Sequence, residues 1–80
     1  APVSGRVMRV STDLPGVQVY TANFLGEDAG KGGINLYRHQ GFCMETQFFP
    51  DSPNHPEFPS TRLKAREAFH SVTEYRFTQT

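Results

Sequence analysis

Prolines at positions 50, 53, 56 and 59 rule out regular structure across the run Pro50-Asp51-Ser52-Pro53-Asn54-His55-Pro56-Glu57-Phe58-Pro59. Each proline lacks an amide donor and fixes φ near −65°, so three-residue spacing excludes a helix interior and a central strand alike. A polyproline ligand segment is one reading of such a run. The interleaved Asp51, Asn54 and Glu57 favour a fixed surface loop instead. The chain must therefore be assembled from short elements on either side of this stretch.

Those elements read as strands. Gly5 to Ser11 contains valines and leads into the turn signal Asp13-Leu14-Pro15-Gly16. Val17 to Asn23 alternates, with Val17, Val19 and Thr21 on one face and Gln18, Tyr20 and Ala22 on the other. Phe24 to Gly33 reads as a glycine-rich loop. Phe42 to Phe49 is a third strand and Phe69 to Phe77 a fourth, with Phe69, Thr73, Tyr75 and Phe77 sharing a face. Helical periodicity is weak throughout, and only Leu63 to Phe69 has helix-forming composition, about two turns of it. No internal repeat appears. The fold class is all-β.

Eighty residues suffice for one small domain and not for two. Eight basic and eight acidic side chains balance, so no electrostatic footprint for nucleic acid or an anionic membrane stands out. No apolar run approaches the roughly 20 residues of a transmembrane helix. Ala1-Pro2-Val3-Ser4-Gly5 has neither the basic nor the apolar region of a signal peptide. Cys43 is the sole cysteine, which excludes an internal disulfide and makes a reducing, cytoplasmic setting the expectation. A chain of this size needs an efficient core, a metal or a disulfide to stand alone. With no tryptophan, seven glycines, six prolines and long loops at Gly26–Gly33 and Pro50–Ser60, this one reads as a piece of a larger fold.

The chemistry sits on the third strand. Alternation sends Phe42, Met44, Thr46 and Phe48 to a core face and Cys43, Glu45, Gln47 and Phe49 to the other. Amides, a phenol and a carboxylate raised on sheet faces (Gln18, Tyr20, Glu45, Gln47) suit a polyhydroxylated ligand, which needs several donors and acceptors and an aromatic surface. A solvated sheet face accounts for the same pattern. His39, His55 and His70 match no metal-site spacing. Cys43 has no neighbour that would activate a thiol. Gly30-Lys31-Gly32-Gly33 lacks the full phosphate-loop spacing and reads as a turning loop.

Longer motifs decide between these readings. Pro15-Gly16-Val17-Gln18-Val19-Tyr20-Thr21-Ala22-Asn23-Phe24-Leu25, then Gly30-Lys31-Gly32-Gly33, then His39-Gln40-Gly41-Phe42-Cys43-Met44-Glu45-Thr46-Gln47, the proline run, and the terminal Tyr75-Arg76-Phe77 together resemble the C-terminal region of the galactose mutarotase (aldose 1-epimerase) family. The likeness covers nearly all of the chain in unbroken order. Two departures fall near the last strand: Ala65-Arg66 stands where the family often has Pro-Gly, and Ser71 where it usually has histidine.

The resemblance implies that residues 1–80 are a C-terminal segment of a large antiparallel β-sandwich, the mutarotase-like supersandwich, and not an independent domain. It implies an enzyme that interconverts the α and β anomers of galactose or glucose, with Glu45 as catalytic base, Gln18 as sugar ligand and no metal or organic cofactor. The family's matching acid is a histidine well upstream, joined by an arginine, a second histidine and an aspartate that bind sugar. None of these has a matching position here. The implied partners are the small-molecule sugar and the remainder of the enzyme chain. A non-catalytic carbohydrate-binding or interaction module on the same scaffold is the alternative, and it predicts sugar binding by the isolated chain with little dependence on Glu45.

Overall fold

The computed structural model describes residues 1–26 and 28–80, and these form six strands and no α-helix. They are β1 (Arg6–Thr12), β2 (Gly16–Tyr20), β3 (Asp28–Ala29), β4 (Asn35–Leu36), β5 (Cys43–Gln47) and β6 (Thr73–Gln79), with 3₁₀ turns at Lys31–Gly33 and Ser52–Asn54. The all-β reading holds, and three of the four main strands fall within a few residues of where alternation puts them; the fourth, read as Phe69–Phe77, begins only at Thr73 and runs to Gln79, leaving Phe69 outside it. The strands pair as three antiparallel ribbons, β1 with β6, β2 with β5 and β3 with β4. The pairing is mostly long-range: Arg6 lies opposite Gln79 and Thr12 opposite Thr73.

Two local readings are corrected. The stretch read as a continuous glycine-rich loop holds the short β3 strand and a 3₁₀ turn, closed where the Gly30 amide bonds the Ile34 carbonyl at 2.7 Å. Glu27, inside that stretch, lies outside the described residues. Leu63 to Phe69 is not helical. A turn interrupts it: Glu67 N–H bonds Lys64 O at 3.1 Å, Lys64 N–H bonds the Glu67 carboxylate at 3.0 Å, and Arg66 sits at φ 67°. A positive φ at the third turn position alone is the type II pattern, which normally takes glycine there. Ala65-Arg66 thus makes the turn that a Pro-Gly pair favours, and two turns of helix propensity cannot outweigh it.

The β1–β6 and β2–β5 ribbons turn apolar faces toward each other. Met8, Val10 and Thr12 stand opposite Phe77, Tyr75 and Thr73 on one ribbon; Val17 and Val19 stand opposite Thr46 and Met44 on the other. At one end the ribbons touch. The Thr46 and Thr73 hydroxyls are 2.7 Å apart, Thr73 also meets Thr12 at 3.2 Å, and the Tyr75 hydroxyl donates to Met44 O at 2.9 Å. At the other end they part around an apolar cleft of about 750 Å³, lined by Val7, Met8, Phe42, Met44 and Phe77 among others.

The space between the ribbons is therefore an unfilled core. Among the described residues only Ala22 is a buried hydrophobic. The accessible surface is 7004 Å², against about 4,900 Å² for a folded monomer of this mass. The radius of gyration is 17.0 Å, where a compact chain of this length has about 12 Å.

Candidate functional site

Strand register brings the two sequence-predicted site residues together. In the β2–β5 ribbon Gln18 lies directly opposite Glu45, flanked by the pairs Gly16–Gln47 and Tyr20–Cys43. Opposed residues of an antiparallel pair project from the same face, with Cβ atoms about 4.5–5.5 Å apart. One face of the ribbon thus carries a carboxylate, two amides, a phenol and a thiol. The opposite face carries Val17, Val19, Met44 and Thr46 and looks toward β1–β6. On β5 exposure follows this division in part, with Cys43 and Glu45 exposed and Met44, Thr46 and Gln47 partly covered; on β2 it does not, since Val17 and Val19 are exposed along with Gln18 and only Gly16 and Tyr20 are partly covered.

Aromatic rings bound this polar face at both ends. Beyond Tyr20, Phe24 stacks on the phenol ring at 6.5 Å with planes 13° apart, and its backbone amide donates to the Tyr20 hydroxyl at 2.9 Å. Beyond Gly16, the Phe49 ring lies 3.0 Å from where a Cβ on that glycine would stand. Phe49 packs edge-on against Phe58 at 5.2 Å, and Phe58 stacks on His55 at 4.8 Å. The proline run is thus a built loop. His55 is held between Asp51 at 3.3 Å and Glu57 at 3.1 Å, Asn54 donates to Asp51 at 2.6 Å, and the Ser52 hydroxyl donates to Phe49 O.

Not all of the other singled-out residues lie on this face. His55 belongs to the proline-rich loop and His70 to an exposed segment, whereas Cys43, a free and exposed thiol, stands on the face itself at its Tyr20 end. Among the described residues no cluster of three or more His, Cys, Asp or Glu side chains is arranged to hold a metal, and no helix is long and apolar enough to cross a membrane. Sequence reading passed over Phe24 and His39 as parts of this region. The signal for Phe24 was its four-residue spacing from Tyr20 across a turn. For His39 there was none, because it joins this region through long-range contacts, its amide donating to Ala22 O at 3.1 Å and its ring Nδ1 lying 2.9 Å from Thr21 O.

This two-stranded face carries a carboxylate and two amides between aromatic rings, side chains that offer hydrogen-bond donors and acceptors beside apolar ring surfaces. The family model described as aldose 1-epimerase matches residues 1–76, and the chain belongs to that family. It is 49% identical to the galactose mutarotase of Bos taurus over 76 residues, which are 94% of this chain and 22% of that protein. Against the galactose mutarotase of Homo sapiens the identity is 47% over the same shares. It is 42% identical to the aldose 1-epimerase of Escherichia coli (strain K12) over 72 residues, 88% of this chain and 21% of that one. The chain spans about a fifth of the length of the curated relatives it matches.

Proposed function

We propose that this chain is the C-terminal segment of an aldose 1-epimerase acting on galactose or glucose in the cytoplasm, with Glu45 as general base and Gln18 as a sugar ligand. The observation that carries the reading is the direct opposition of Gln18 and Glu45 on one face of the β2–β5 ribbon, between aromatic rings.

Anomer exchange needs a proton removed from the C1 hydroxyl and another delivered to the ring oxygen. The C1–O5 bond then breaks to give the open-chain aldehyde. Rotation about C1–C2 and reclosure, with both proton transfers reversed, yield the other anomer. A carboxylate within about 2.6–3.2 Å of O1 supplies the first step, an effect of roughly 10²–10⁴-fold. Gln18 holds neighbouring hydroxyls with an uncharged amide that donates and accepts without taking the proton. The proton donor to the ring oxygen comes from the upstream portion of the protein, so the segment is neither an independent domain nor active by itself.

Glu45→Gln in the complete protein tests this. It keeps the shape and removes the base, so turnover in a polarimetric assay of α-galactose should fall by about 10²-fold or more while the protein stays folded. Near-normal turnover would refute the assignment.

A further inference from the structure

The β2–β5 ribbon has no hairpin turn to set its register. Its strands are joined by the long excursion from Thr21 to Phe42, which contains the β3–β4 ribbon. Register matters here more than usual, because a one-residue slip would send Glu45 or Gln18 to the opposite face. Something must tie the two ends of the excursion together where the chain leaves β2 and returns to β5.

His39 does so, with two bonds. Its backbone amide donates to Ala22 O at 3.1 Å, and its ring Nδ1 lies 2.9 Å from Thr21 O. Both residues joined by the backbone bond have left-handed φ, 60° at Ala22 and 62° at His39, and neither is glycine. Ala22 is only 3% exposed. His39 occupies the third position of a turn closed from Gln40 N–H to Tyr37 O at 3.2 Å and braced by Tyr37 N–H to the Gln40 side chain at 2.9 Å. A side chain held at positive φ in such a turn is a local cost, and it persists where surrounding contacts enforce it.

The ring's partners fix its tautomer. A carbonyl oxygen only accepts, so Nδ1 carries the hydrogen. Arg38 Nε, which only donates, lies 3.2 Å from Nε2, so that nitrogen presents its lone pair. Arg38, Thr21 and His39 form one chain of bonds with defined polarity.

We infer that His39 is a positioning residue for the sugar site: as an Nδ1–H imidazole it latches the end of β2 to the start of β5 and so holds Gln18 opposite Glu45. The inference rests on the proposed roles of those two residues. It assigns His39 no contact with substrate and no proton transfer.

The test uses the complete enzyme carrying this segment. Long-range ¹H–¹⁵N spectra of the imidazole should show His39 as the Nδ1–H tautomer; an Nε2–H ring overturns the latch whatever the kinetics show. His39→Ala should lower kcat/KM for galactose on the order of 10²-fold, most of it in kcat, the loss that a misplacement of about 1 Å produces. His39→Asn should restore activity to within about tenfold of wild type, because asparagine tolerates positive φ and its amide can donate to Thr21 O. Unchanged kcat/KM in His39→Ala, or failure of His39→Asn to rescue, overturns the latch. Should His39→Ala not fold, the tautomer and His39→Asn still decide. Glu45→Gln run in parallel separates the two readings. If it kills turnover while His39→Ala does not, only the latch is wrong; if it leaves turnover intact, the site reading is wrong and the ring tautomer alone judges the latch.

Discussion

On their own, these 80 residues should not unfold as a cooperative unit. The accessible surface of 7004 Å² exceeds that of a folded monomer of the same mass by about 2,100 Å². If about 55–60% of that excess is apolar, as on ordinary protein surfaces, roughly 1,200 Å² of hydrocarbon stands uncovered. At about 25 cal/mol per Å² the missing burial is worth about 30 kcal/mol, several times the 5–15 kcal/mol net stability of a typical domain. The side chains concerned are visible: Phe24 is 90% exposed, Phe77 73% and Val19 55%. Circular dichroism of the isolated chain should show a broad, non-sigmoidal thermal change, and a hydrophobic dye such as ANS should bind strongly. Adding the separately produced upstream portion should quench the dye and restore a single transition, since a partner that binds only the ordered form stabilises it. A sharp transition of the chain alone, with dispersed amide resonances, would refute the argument and show that the segment folds independently.

Two further substitutions address the site and the turn. Gln18→Ala in the complete enzyme should raise KM for galactose about five- to tenfold with kcat less affected, the loss of one uncharged hydrogen bond to substrate; an unchanged KM in steady-state polarimetry would remove Gln18 from the sugar site. Arg66→Gly should stabilise the protein by about 0.5–1 kcal/mol, because it places glycine at φ 67° in the Lys64–Glu67 turn, and chemical denaturation with an unshifted or lower midpoint would contradict that.

How far the sequence disclosed this structure depends on the range of the forces concerned. Alternation along Phe42–Phe49 and Val17–Asn23 is a local property, and it is enough to sort Glu45 and Gln47 onto one face of the first strand and Gln18 and Tyr20 onto one face of the second. That Gln18 opposes Glu45 is not local. It depends on register across an excursion whose ends meet through His39 and Ala22, and neither residue advertises the left-handed backbone it adopts. The failed helix at Leu63–Phe69 teaches the converse. Its propensity was real and small, a turn bond and a carboxylate–amide bond were enough to override it, and the family's Pro-Gly at the corresponding position was the available clue. The four-proline run was read correctly as a fixed loop, but its use, seating Phe58 against Phe49 beside Gly16, required the fold.

The two faces of the β2–β5 ribbon assign two separate tasks to whatever covers them. Met44 and Thr46 point toward β1–β6, where the open cleft calls for apolar filling and decides stability. Gln18 and Glu45 point the other way, where aromatic rings at the two ends leave a polar floor with no opposing wall among the described residues. On the proposed reading, the proton donor for the sugar's ring oxygen approaches from that open side, since Glu45 stands on the floor and an ionised carboxylate that takes the O1 proton has none to give O5. Folding and chemistry thus draw on opposite faces of one ribbon, alternate residues of a single strand serving each, and the register held at His39 is what keeps the two sets from exchanging places.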